Sequence, residues 1–248
     1  RAEYSFREKY LLDATLRYHG SSRFKEGNKW GLFYGLSAGW RIDKESFFSN
    51  LGMDFISQLK LRASYGKLGN QAVSLYSYIN SVDLGSNYSF NNTISTGAAV
   101  SKYADPEITW ETTHTFNAGV DISTLSNRIN LSVDVYKKRT SNILRPVNIP
   151  SQVGGLAGPT KNIGTVDNTG FDIGLSHRNR YGDFDIELAA EYGYVKNKVI
   201  DFNGERIIGT RRISAEGHPL DAYYVYEAIG IYQNQQEIDN SARISNPV

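Results

Sequence analysis

From Trp30 to Trp40 the chain reads WGLFYGLSAGW. Trp30, Leu32, Tyr34, Leu36, Ala38 and Trp40 fall on one side of a two-residue period. Gly31, Phe33, Gly35, Ser37, Gly39 and Arg41 fall on the other. A period of two is that of a β-strand, because successive side chains leave opposite faces of the sheet. The stripe is eleven residues long, and its two ends are tryptophans. Strands of soluble domains run to about five or six residues. At about 3.3 Å per residue and a tilt near 40°, a stripe of this length stands roughly 20–25 Å tall. That is the height of the apolar band of an outer-membrane barrel, and aromatic ends are what its two interfaces select.

The same alternation recurs on both sides of this stretch. Upstream, Tyr10, Leu12, Ala14, Leu16 and Tyr18 oppose Leu11, Asp13, Thr15 and Arg17. Downstream, Leu59, Leu61, Ala63 and Tyr65 oppose Lys60, Arg62, Ser64 and Gly66. Trp110, Thr112, His114, Phe116, Ala118, Val120 and Ile122 oppose Glu111, Thr113, Thr115, Asn117, Gly119 and Asp121. Further strands are expected at Ile129–Val135, Phe171–Leu175 and Phe184–Tyr194, with a weaker eighth at Ala222–Tyr232. Across the seven clear strands the apolar stripe holds no Asp, Glu, Lys or Arg, and every charge sits on the opposite face. A Lys or Arg facing lipid near the midplane costs about 2–4 kcal/mol, which accounts for the exclusion.

Connections alternate in length. Ser123–Arg128 and Arg178–Asp183 are short, whereas Leu68–Glu107 and Tyr136–Asn168 are long and polar. The expectation is therefore an all-β, antiparallel transmembrane barrel segment of about eight strands. Its short turns are periplasmic and its long loops extracellular; by this parity the segment Ile42–Gln58, with Phe47, Phe48 and Phe55, lies on the periplasmic side and the loop His19–Lys29 outside. The alternative is a secreted β-sandwich, a carbohydrate-binding or adhesion module, in which the apolar face would pack into a core.

Composition narrows the function. The 27 basic and 26 acidic residues leave a net charge of +1, so no nucleic-acid partner is expected. Cysteine is absent, which removes disulfides and thiolate metal sites. His19, His114, His177 and His218 have no metal-site spacing, and no metal or other cofactor is expected. His114 is read as interfacial or bonded to a neighbour. Asp185, Glu187 and Glu191 project in parallel from one strand as a polar wall, unlike the convergent carboxylates of a glycosidase. Gly154–Lys161 lacks the order of a phosphate loop and reads as a flexible external loop. Gly31, Gly35 and Gly39 either relieve strain where the sheet bends or leave room for an approaching segment. No acid, base or nucleophile constellation appears, so no enzymatic activity is expected. One candidate ligand-contact loop carries Tyr76, Tyr78, Tyr88 and Phe90 among Asn and Ser residues. Rings of this kind can stack on sugars.

Five strings in order resemble the SusC/RagA-type TonB-dependent outer-membrane transporters. They are KYLLDATLRYHGSSRF (9–24), LKLRASYGKLGN (59–70), DPEITWETTHTFNAGVD (105–121), NIGTVDNTGFDIGL (162–175) and EGHPLDAYYVYEAIGIYQNQQEI (216–238). His19 stands where that family usually has Asp, Asp105 where Asn is usual, and Asp172 where Glu is common. The resemblance implies a barrel of about 22 strands with a plugged lumen. It also implies drive from the TonB complex through an N-terminal region, a SusD-like surface lipoprotein as lid, and glycan or peptide cargo. Outer-membrane lipid would surround the wall. On this reading residues 1–248 are a partial barrel domain, cut at both ends. The plug, the signal peptide and the last strands lie outside it, and the piece alone should not transport.

Overall fold

The computed structural model describes residues 1–147, 149–150, 152, 158–228 and 230–241. Eight long strands form one sheet: β1 (Ala2–Phe6), β2 (Tyr10–Gly20), β3 (Trp30–Arg41), β4 (Ile56–Asn70), β5 (Glu111–Thr124), β6 (Ile129–Ser141), β7 (Thr165–Tyr181) and β8 (Phe184–Asp201). Each pairs antiparallel with the next in sequence, so the sheet is a simple meander with β1 and β8 at its edges. Strands β2 to β8 are the seven read from the alternation. The eighth is β1, not Ala222–Tyr232: among the described residues of that stretch only Ala222–Tyr223 is strand, in a small sheet with Ile207–Ile208 and Arg212–Ser214. Apolar composition at 222–232 mimicked a strand, but no alternation accompanied it.

Register explains the sequence pattern. Directly opposed residues share a face, so one row can be followed across the whole sheet. Tyr4, Leu12, Ala38, Ala63, Ala118, Val135, Phe171 and Tyr194 are successive partners, and every one is apolar. The next row, on the other face, reads Ser5, Leu11, Gly39, Arg62, Gly119, Asp134, Asp172 and Gly193. A slip of one residue in any pair would exchange the two faces.

Among the described residues no second layer covers the apolar face. Leu36 is 56% exposed and Leu16 67%, both at mid-strand, and Leu188 in the first third of β8 is 64% exposed. The buried clusters lie at the strand ends instead. One contains Phe24, Phe33, Val73, Ile108 and Trp110, and the other Val166, Val199 and Phe202. A sandwich would place its core at mid-strand. That alternative fails here.

The two rims differ as expected. At one rim the connections are Arg7–Lys9, Leu125–Arg128, Gly182–Asp183 and the segment from Ile42 to Phe55. At the other they are residues 21–29, 71–110 and 142–164 and the chain beyond 201. The strands run further than the alternation indicated. β4 continues to Asn70 and β6 to Ser141, and β7 starts at Thr165. The first half of Gly154–Lys161, residues 154–157, lies outside the described residues.

Candidate functional site: an ionic inner wall and an aromatic loop rim

The inner face is built around Arg62. Its Nε and Nη2 donate to the two carboxylate oxygens of Asp121 at 2.7 and 2.9 Å, on the adjacent strand. Nη1 and Nη2 donate to Asp134 at 3.0 and 2.9 Å, one strand further. Ser132 Oγ completes the set, donating to Asp121 at 3.2 Å. Gly119 lies between these strands, and a Cβ there would stand 2.5 Å from Asp134 Oδ1 and 3.0 Å from Arg62 Nη2. The glycine is the gap through which the guanidinium spans two strands. Further along the wall, Arg178 pairs with Glu187, and Arg180 approaches Asp185 at 4.0 Å. Asp185 and Glu187 thus face arginines across strands as part of a polar wall, while Asp121 and Asp134 share one guanidinium.

The three aligned glycines of β3 do different things. A Cβ on Gly31 would strike the Phe33 ring at 2.5 Å, while Gly35 has nothing within 4 Å. At Gly39 the nearest neighbour, Lys60 Cε, is 3.1 Å away. Gly31 thus makes room for packing, and Gly35 leaves the inner face open.

On the outer face, aromatic residues mark both ends of the stripes. Tyr18 and Trp30 stack with ring centroids 4.9 Å apart and planes at 8°. Tyr65 Oη meets His114 Nδ1 at 2.9 Å, so His114 is bonded to a neighbour. At the short-turn rim Glu45 accepts from Tyr10 Oη at 2.7 Å and Trp40 Nε1 at 3.1 Å, and pairs with Lys9 at 2.9 Å. The Tyr10 hydroxyl first, then Lys9 and Trp40, hold the Glu45 carboxyl at about 2. One carboxylate thus ties the polar tips of the girdle to the turn that follows β3.

Trp110 departs from expectation. It precedes β5, so alternation does not fix its side, and it turns inward. Its ring meets Phe33 edge-on at 5.1 Å and Phe24 at 5.3 Å, and its Nε1 donates to the Lys29 carbonyl at 3.1 Å. Trp110 fastens loops, not the membrane interface. Gly69 admits this contact, since a Cβ there would lie 2.1 Å from the Phe33 ring. Asn162 is a second fastener that the spacing did not reveal. It accepts from Thr109 N at 2.7 Å and donates to the Thr109 and Asn142 carbonyls at 2.8 and 2.9 Å. Its place in the string NIGTVDNTG was the one available signal.

The four loop aromatics separate. Tyr88 and Phe90 lie two apart on a hairpin with Thr93–Ser95, whose turn residues Asn91 and Asn92 both have positive φ, 50° and 61°. Their rings approach to 4.8 Å and remain exposed. Tyr76 is exposed in a left-handed conformation, φ 57°. Tyr78 packs against the Phe24–Trp110 cluster. Among the described residues no group of three or more His, Asp or Glu side chains is placed to hold a metal ion.

The family described as TonB dependent receptor-like, beta-barrel matches residues 1–237. TonB-dependent receptor P39 of Formosa agariphila is 34% identical over 94% of this chain. TonB-dependent receptor SusC of Bacteroides thetaiotaomicron is 28% identical over 97% of it. The chain spans 22% and 26% of those two receptors. The RagAB peptide importer in its 'closed-closed' state superposes with a TM-score of 0.77, at 25% identity, over 88% of this chain and 24% of that one. Proteins of this kind are receptors and transporters, not enzymes. An uncovered apolar face, an ionic inner face and the match over residues 1–237 converge: the chain belongs to the TonB-dependent receptor-like β-barrel family of the bacterial outer membrane.

Proposed function

We propose that this chain is part of the wall of a TonB-dependent importer of large nutrients, such as oligosaccharides or peptides, working with a SusD-like lipoprotein at its outer mouth. The observation that carries this reading is the two-faced meander: one face fit for lipid, the other lined by Arg62, Asp121 and Asp134. SusC and the RagAB peptide importer are relatives, which supports active uptake through such a wall. In this reading the longer protein adds the remaining strands, a plug and the segment that meets the TonB complex. The long-loop rim faces outward, and its exposed Tyr76, Tyr88 and Phe90 contact cargo, with Tyr78 supporting the loop from beneath.

Deleting the gene, or the TonB complex, should abolish growth on the cargo while leaving growth on a monomeric sugar or free amino acids intact. Oligosaccharide and peptide media distinguish the two cargo classes. Replacing Tyr88 and Phe90 by Ala in the full-length protein should weaken cargo binding at least about tenfold, as loss of stacked rings does. Unchanged affinity would remove these residues from the site.

A further inference from the structure

Beyond the aromatic girdle, the outer face changes character on the long-loop side only. In β4, Tyr65 is followed two residues outward by Lys67. In β6, Val135 is followed by Lys137 and Arg139, and in β8, Tyr194 by Lys196 and Lys198. These residues occupy two neighbouring rows of one face. Tyr65, Phe116, Lys137, Thr169 and Lys196 form the first row, and Lys67, His114, Arg139, Asp167 and Lys198 the second.

Five cations and one anion, Asp167, give this patch a net charge of +4. The whole chain, with 27 basic and 26 acidic residues, is nearly neutral. The strand residues at the opposite end of the same face carry no Lys or Arg among the described residues. There the girdle is tied by a carboxylate, Glu45, whose charge is balanced by Lys9 of the adjoining turn at 2.9 Å. Unpaired strand cations on this face are thus confined to its long-loop end.

Asp167 organises the patch without neutralising it. It receives Arg139 through two bonds, at 2.7 and 2.8 Å, and Lys137 at 3.3 Å. The Arg139 and Lys137 side chains stay 46% and 52% exposed. Lys67, Lys196 and Lys198 form no ion pair among the described residues. Five strands span about 19 Å, and the cations stand about 5–10 Å beyond the aromatic level. That is the depth of lipid headgroups, where basic side chains draw anionic lipid.

We propose that this patch docks the phosphorylated headgroups of the lipid leaflet at the long-loop rim. The inference rests on that rim facing outward. The order from apolar through aromatic to cationic, read along single strands, makes the patch continuous with the lipid-facing surface. Its charge complements phosphate.

The test is native mass spectrometry of the full-length protein in detergent. The probes are diphosphorylated lipid A, its dephosphorylated form and inorganic phosphate. The expected result is retention of the phosphorylated lipid at least about tenfold better than the dephosphorylated one. The K67Q/K196Q/K198Q variant, which leaves the Arg139–Asp167 pair intact, should lose that preference. Equal retention of both lipids by the unaltered protein overturns the proposal, so the answer does not depend on whether the variant folds. Two other results also overturn it: inorganic phosphate competing as well as the lipid does, and a folded variant that keeps its lipid but sheds the lipoprotein. Labelling Ser86→Cys from outside intact cells checks the sidedness separately, so its failure is not confused with failure of lipid docking.

Discussion

Arg62 shows how much one side chain can settle. Two carboxylates, Asp121 and Asp134, reach the inner face from neighbouring strands, and the guanidinium between them turns repulsion into a network. These side chains are part-buried, so the cost of breaking the network lies between those of exposed and buried pairs. Arg62→Met should destabilise the barrel by about 1–3 kcal/mol in urea unfolding in lipid bilayers. Adding Asp134→Asn should recover part of the loss, because the like-charge contact is then removed. Gly119→Ala should resemble Arg62→Met, since the new Cβ occupies the space of the ion pair. If Gly119→Ala is neutral, the glycine does not serve the pair. Glu45 gives the pH counterpart. Its carboxyl titrates at about 2 in the folded protein, against an ordinary value of 4.5. A depressed value means that the stability it confers is complete above 4.5 and is lost as pH falls towards 2. The melting temperature of the Glu45→Gln variant should therefore fall less than that of the unaltered protein over this window. Equal slopes would assign the acid sensitivity to other groups.

At the scale of elements, turns explain which parts were legible. Tyr181 pairs with Phe184, so Gly182-Asp183 is a two-residue hairpin loop, with Gly182 at φ 61°. Left-handed backbone at the first position is the glycine-demanding geometry of such loops. Gly182→Ala should cost about 1–2 kcal/mol, checked by urea unfolding. No loss would mean that the turn adopts another form. The turn after β5 has no glycine, yet Leu125, Ser126 and Asn127 all have positive φ, 53°, 59° and 65°. It is held from outside: Leu125 N donates to the Phe55 carbonyl at 3.0 Å, and Asn127 N to Ser57 Oγ at 3.3 Å. The long alternating stripes made β2 to β8 readable because each strand carries its own signal. β1 was missed because Tyr4 and Phe6 offer too short a stripe. Trp110 was misassigned because alternation stops constraining a residue where pairing stops. The Asn162 clasp and the Arg62 network depend on register and loop folding, which one sequence does not state.

For the whole molecule, the central claim is that the face bearing Leu36 and Leu188 meets lipid, while the face bearing Ser37 and Glu187 meets water. The exposed apolar row and the segregated charges follow from it. So does the placing of the buried clusters at the rim. Leu36→Arg should then cost about 2–4 kcal/mol, and Ser37→Arg, one residue away, much less. The most direct test places a single fluorophore by Leu36→Cys, Ser37→Cys, Glu187→Cys or Leu188→Cys in the full-length protein in bilayers. Quenching is then compared between a lipid-bound and a water-soluble quencher. The account predicts that labels at 36 and 188 answer to the lipid quencher, and labels at 37 and 187 to the aqueous one or to neither. Lipid quenching at 37 and 187, or aqueous quenching at 36 and 188, would contradict it.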